Sequence, residues 1–73
     1  MWKFGMINGY EYEAKVFDLG SEFGINGGRI SKLFVKKDGR VVINYDRGWD
    51  VRPKTKEAKQ VLAEILRIYS LAE

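Results

Sequence analysis

The chain has 73 residues, 45% of them hydrophobic and ten of them aromatic, with a formal net charge of +3. Neither Cys nor His occurs, which excludes disulfides, thiolate chemistry and zinc-cysteine centres and removes the commonest general base and metal ligand. One domain spanning residues 1–73 is the expectation. A core this small supplies only a few kcal/mol, but its aromatic side chains each withdraw roughly 150–250 Å² from water when buried.

Charge is uneven along the chain. Residues 1–28 carry a net −2, residues 29–59 a net +6 and the last fourteen a net −1. A basic middle suits either a solvated face or an acidic partner such as nucleic acid. No run approaches the roughly 20 apolar residues that cross a bilayer, and the N-terminus lacks a signal-peptide core. The expected setting is the cytoplasm, with no membrane partner.

Trp2, Phe4 and Met6 alternate with Lys3 and Gly5, and the alternation resumes at Tyr10, Tyr12, Ala14 and Val16, predicting two strands. A two-residue Asn8-Gly9 turn would pair Met6 with Glu11 and Phe4 with Glu13, setting carboxylates on the apolar face. A three-residue loop, Ile7-Asn8-Gly9, instead pairs Met6 with Tyr10, Phe4 with Tyr12, Trp2 with Ala14 and Lys3 with Glu13. That register puts every apolar residue on one face and is the one expected. Glu13 then serves as an ion-pair partner of Lys3, not as half of a catalytic pair with Glu11. Tyr10, Tyr12, Tyr45, Trp2 and Phe4 read as core in preference to a platform for bases.

Gly20, Gly24, Gly27 and Gly28 punctuate the next stretch, with Phe23 and Ile25 between them. The pattern predicts a turn, a short strand and a second turn. These glycines do not precede a helix, and no Gly-Lys-Ser/Thr follows them, so no nucleotide cofactor is expected.

Asp38-Gly39 separates two apolar stretches, residues 29–37 and 40–46, and favours a two-residue type I′ turn. Unbroken pairing from that turn sets Lys37 against Arg40, Val35 against Val42, Leu33 against Asn44, Ser31 against Asp46 and Ile30 against Arg47. Arg29 then falls beside Gly48 and Trp49. Both faces of this hairpin are apolar: Ile30, Phe34, Val41, Ile43 and Tyr45 on one, Leu33, Val35 and Val42 on the other. One helix cannot cover both.

Arg52-Pro53 ends the strand pattern, and Thr55 is a helix N-cap with Glu57 in the first turn. Ala58, Val61, Leu62, Ile65, Leu66, Tyr69 and Ala72 then recur at three- and four-residue spacing, with Ile68 and Leu71 widening the stripe. Seventeen helical residues span roughly 25 Å, about the length of a seven-residue strand. The predicted fold is α+β: an antiparallel meander of four or five strands with one C-terminal helix across one face.

Through Phe23-Gly24-Ile25-Asn26-Gly27-Gly28-Arg29-Ile30-Ser31-Lys32-Leu33, then Asn44-Tyr45-Asp46-Arg47-Gly48-Trp49-Asp50 and Pro53, the chain resembles a family of short proteins found in phages and conjugative elements of Gram-positive bacteria. The resemblance runs from about Tyr10 to the helix. It implies a cytoplasmic mobile-element protein and supplies no activity, cofactor or catalytic residue.

The candidate binding cluster is Gly27, Gly28, Arg29, Ser31, Asp46, Arg47, Trp49 and Asp50. Glycine amides and arginines can hold a phosphate or carboxylate, and an indole can stack on a base or a side chain. The competing reading is architectural: a glycine turn, arginine–aspartate pairs and an indole closing the core. No catalytic residue, metal ligand or cofactor is expected. The functional expectation is a non-enzymatic interaction module that binds itself or another protein through the uncovered sheet face or an exposed strand edge. The alternative is a nucleic-acid binder using Arg29, Lys32, Lys36, Lys37, Arg40 and Arg47.

Overall fold

A computed structural model describes residues 1–70. Leu71 and Ala72, assigned above to the helical stripe, lie outside the described residues. Five strands form one antiparallel sheet in chain order: β1 (Trp2–Ile7), β2 (Tyr10–Val16), β3 (Ile30–Lys37), β4 (Arg40–Asp46) and β5 (Trp49–Val51). The helix α1 (Lys56–Ser70) covers one face of it. This is the α+β meander the sequence predicts, in its five-stranded form.

Both tight turns are two-residue turns with positive φ at each central position: Asn8 at 52° and Gly9 at 81°, Asp38 at 52° and Gly39 at 79°. That is type I′ geometry, whose twist matches the flanking strands. For the first hairpin it overturns the expected three-residue loop. Met6 pairs with Glu11, Phe4 with Glu13 and Trp2 with Lys15, the register the carboxylate argument rejected. The carboxylates do not point inward; Trp2, Phe4 and Met6 point outward with them. Phe4 is 68% and Met6 63% exposed. Lys3 faces Ala14 and makes no cross-strand pair with Glu13.

The reason lies in which strand the helix reaches. An α-helix is about 10 Å across with side chains, little more than two strand spacings, and α1 packs over the middle of the sheet. Tyr12, Ala14, Val16, Leu33, Val35, Ile43 and Tyr45 meet Val61 and Ile65 there in one buried cluster. The edge strand β1 sends only Lys3, Gly5 and Ile7 to that side. Gly5 leaves room for the Tyr12 ring: a Cβ on it would sit 2.6–2.7 Å from that ring and its hydroxyl, so the ring would have to move. Tyr12 lies across that gap, and its hydroxyl shares a 2.7 Å hydrogen bond with that of Tyr69 on α1.

The second hairpin starts in the predicted register, Lys37 against Arg40, and then slips. Between Val35 and Lys36 the ladder shifts by one residue, leaving Val42 extra, so Val35 meets Ile43, Leu33 meets Tyr45 and Lys32 meets Asp46. A β-bulge of this kind moves every later residue to the opposite face. Without it Asn44 would enter the core and Ile43 and Tyr45 would leave. With it Leu33, Val35, Ile43 and Tyr45 share the helix face and are buried, correcting the two face sets read from the sequence.

The segment 17–29 holds no strand. It folds as turns ending in a 3-10 turn, Ile25–Gly27, in which Asn26 and Gly27 have φ of 54° and 72°. Ile25 is buried and anchors the loop to the core, whereas Phe23 is 54% exposed. Gly24 permits the fold of this loop, since a Cβ there would come within 2.0 Å of the Gly28 carbonyl oxygen. Thr55 caps α1 as predicted, its Oγ1 accepting a 3.0 Å hydrogen bond from the Ala58 amide.

Candidate functional site

The eight-residue cluster does not assemble as one site. The register shift between Lys15 and Val16 sets Arg29 against Phe17, and a turn at Arg47-Gly48, with Arg47 at φ 57°, folds the chain from β4 into β5 so that Trp49 faces Tyr45 and not Arg29. The Phe17 amide donates to the Arg29 carbonyl at 2.9 Å, and Arg29 Nε donates to the Phe17 carbonyl at 2.8 Å. Gly28 and Arg29 line a pocket of about 140 Å³ next to Leu66 of the helix. Trp49 packs edge-on against Tyr45, ring centroids 5.0 Å apart, with the Arg52 guanidinium 5.2 Å from its ring. Gly27 sits in the 3-10 turn, and Asp50 is exposed at the β5 edge.

Ser31, Asp46 and Arg47 do come together. The Arg47 amide donates to the Ser31 carbonyl at 2.9 Å. Asp46 Oδ1 lies 3.8 Å from Lys32 Nζ and 3.8 Å from Arg47 Nε. Both pairs are solvent-exposed enough to contribute well under about 1 kcal/mol each. Ser31, Lys32 and Arg47 line a groove of about 330 Å³ whose other walls are Lys15, Phe17 and Phe23. Phe17 is 45% exposed, and Lys15 Nζ sits 5.4 Å from its ring centroid.

Lys15, Phe17 and Phe23 were missed from the sequence. The charge of Lys15 and the bulk of the phenylalanines are visible there, but their convergence with Arg47 depends on the β2–β3 register. A thirteen-residue connection with no hairpin turn leaves that register open. The alternative nucleic-acid set divides likewise: Lys32 and Arg47 join the groove, Arg29 is bonded to Phe17, and Lys36, Lys37 and Arg40 stand at the opposite, turn end of the sheet. There Lys37 Nζ lies 5.0 Å from the Tyr10 ring centroid.

On the face away from the helix, the cross-strand rows read Met6, Glu11, Lys36, Val41; Phe4, Glu13, Phe34, Asn44, Val51; and Trp2, Lys15, Lys32, Asp46. The Trp2 and Phe34 rings stack with centroids 6.3 Å apart across the intervening strand. Glu11, Glu13 and Asp46 balance Lys15, Lys32 and Lys36, so this face carries no net charge.

Among the described residues no group of three or more His, Cys, Asp or Glu is placed to hold a metal ion, and no helix is long and apolar enough to cross a membrane. The strongest titration shift is that of Tyr69. Partial burial, followed by its hydrogen bond to Tyr12, pushes the Tyr69 hydroxyl up to about 12. A family model described as a domain of unknown function, DUF7678, matches residues 1–70. No curated protein and no solved structure matches the chain.

Proposed function

The chain belongs to the DUF7678 family of domains of unknown function, and from its uncovered sheet face we infer a non-enzymatic interaction module that pairs with a second copy of itself. The observation carrying this reading is the placement of Trp2, Phe4, Met6 and Val41, each at least 40% exposed, on the side of the sheet that α1 leaves open. An apolar surface of this kind on a small domain marks a contact. The charge pattern selects the partner. A face whose three carboxylates are balanced by three ammonium groups is self-complementary, whereas a nucleic acid or a strongly charged protein calls for a surplus of one sign.

Four strands of six to eight residues and the three-residue β5, spaced about 4.8 Å apart, make a face of roughly 500 Å². That is below the roughly 800 Å² per partner of a standard stable interface, so the pair is weak, with micromolar dissociation. The cytoplasm is the setting supported by the absence of Cys and of a membrane-spanning helix among the described residues. A phage or conjugative element as the source rests on the resemblance of residues 23–33 and 44–50 and of Pro53.

Sedimentation or light scattering from about 10 µM to 1 mM is the test, a range chosen to bracket a weak interface. The mass rises toward that of two chains, and Phe4→Glu holds it at one. A wild-type monomer at the highest concentration overturns the reading.

A further inference from the structure

The groove at the loop end of the sheet pairs two features that folding alone does not call for. Lys15 and Lys32 face each other directly across β2 and β3, a like-charge cross-strand pair that costs stability. Arg47 adds a third cation to the same groove. Asp46 answers only part of this charge, lying 3.8 Å from Lys32 and from Arg47 and opposite neither Lys15 nor the aromatic wall. Phe17 and Phe23 present half-exposed rings on the other wall. A local conflict kept at a concave surface is where a sequence trades stability for binding.

We propose that this groove binds single-stranded nucleic acid, with a backbone phosphate held between Lys15, Lys32 and Arg47 and an unstacked base resting on Phe17 or Phe23. The phosphate relieves the lysine repulsion. The rings supply the sequence-tolerant stacking that single-strand binders combine with a cationic track. A volume of about 330 Å³ lies at the small end of ligand sites, suiting one nucleotide unit at a time. A duplex fits poorly, because its bases are stacked on one another and offer the phenylalanines no free face. The groove needs no second copy; it borders the self-pairing face at the row Trp2, Lys15, Lys32 and Asp46, whereas Phe4, Met6 and Val41 lie in the rows beyond it.

Fluorescence anisotropy with a labelled single strand of about twelve nucleotides, within the site sizes of single-strand binders, reads the binding at low salt. Three phosphate-facing cations predict a log–log salt slope near about −2, and Lys15→Gln or Lys32→Gln makes it shallower by about 0.7. Phe17→Ala and Phe23→Ala each weaken binding at least about fivefold if each ring carries a base. Lys36→Gln and Lys37→Gln, at the other end, stay within about twofold, the loss of a distant, screened charge. Lys15→Gln loses its contact with the Phe17 ring along with the repulsion of Lys32, so its melting temperature stays close to the parent's and its binding loss is not unfolding. The proposal is overturned by equal affinity for the duplex, by losses in the turn-end variants as large as those in the groove, or by no anisotropy change up to about 100 µM protein at low salt. A monomer that binds the strand overturns only the self-pairing.

Discussion

The two faces of this sheet are built from the same five strands, yet one is a core and the other a surface. On the helix side Leu33, Val35 and Ile43 of the central strands are fully buried beneath Val61 and Ile65 of α1. On the open side, aromatic and aliphatic residues of similar size stand among six charged groups with nothing packed on them. The difference shows that hydrophobic side chains report where burial is available, not where it occurs. Burial is set by the reach of one helix, and β1 lies beyond that reach.

Substitutions that probe this contrast grade by how much packing they remove. Leu33→Ala opens a cavity under α1 and costs about 2–5 kcal/mol, close to the whole stability of a domain this size. The variant is expected to be largely unfolded by circular dichroism. Phe4→Glu removes comparable bulk from the open face and sets a carboxylate opposite Glu13, together costing no more than about 1 kcal/mol in denaturant. A large loss for Phe4→Glu would mean that the open face is packed after all.

Gly5→Ala tests the border between the faces. Its Cβ would meet the Tyr12 ring at 2.6–2.7 Å, so the ring must move and the Tyr12–Tyr69 hydrogen bond with it. Overpacking of this kind costs about 1–3 kcal/mol, read as a lower denaturant midpoint. An unchanged midpoint would mean that Tyr12 can swing away without loss.

The smallest effect is a pH dependence confined to the covered face. Tyr69 has its hydroxyl pushed up to about 12 by burial and by Tyr12, against about 10 in an unfolded chain. The folded state therefore holds this proton more tightly. The stability it represents is complete below about pH 10, where both states are protonated, and is lost as pH rises from about 10 toward 12. The difference in melting temperature between the parent and Tyr69→Phe should be constant below pH 10 and shrink above it. A difference that stays flat through this range would place Tyr69 in contact with water.

Much of this fold was legible in short-range chemistry. Asp38-Gly39 forms the turn expected of it, Thr55 caps the helix, and the spacing of Ala58, Val61 and Ile65 marks its buried stripe, whereas Asn8-Gly9 forms the two-residue turn that the expected three-residue loop had displaced. The candidate cluster was legible only in part. Ser31, Asp46 and Arg47 converge as expected, whereas Gly28 and Arg29 belong to another pocket and Trp49 to the core edge. The misplacements have two causes: register shifts at Val42 and beside Lys15, and the turn at Arg47-Gly48 that folds Trp49 back against Tyr45.

By itself, then, the chain's local sequence determined the four long strands and the helix, because turn types, caps and periodicity act over a few residues and each has a residue-specific cost; the short strand expected around Phe23 and Ile25 is absent, and the three-residue β5 was not foreseen. Tertiary structure alone decided which face each strand presents and which cations share a groove. A one-residue slip costs little locally but exchanges an entire set of side chains between core and solvent, so the choice is made by what the helix can cover.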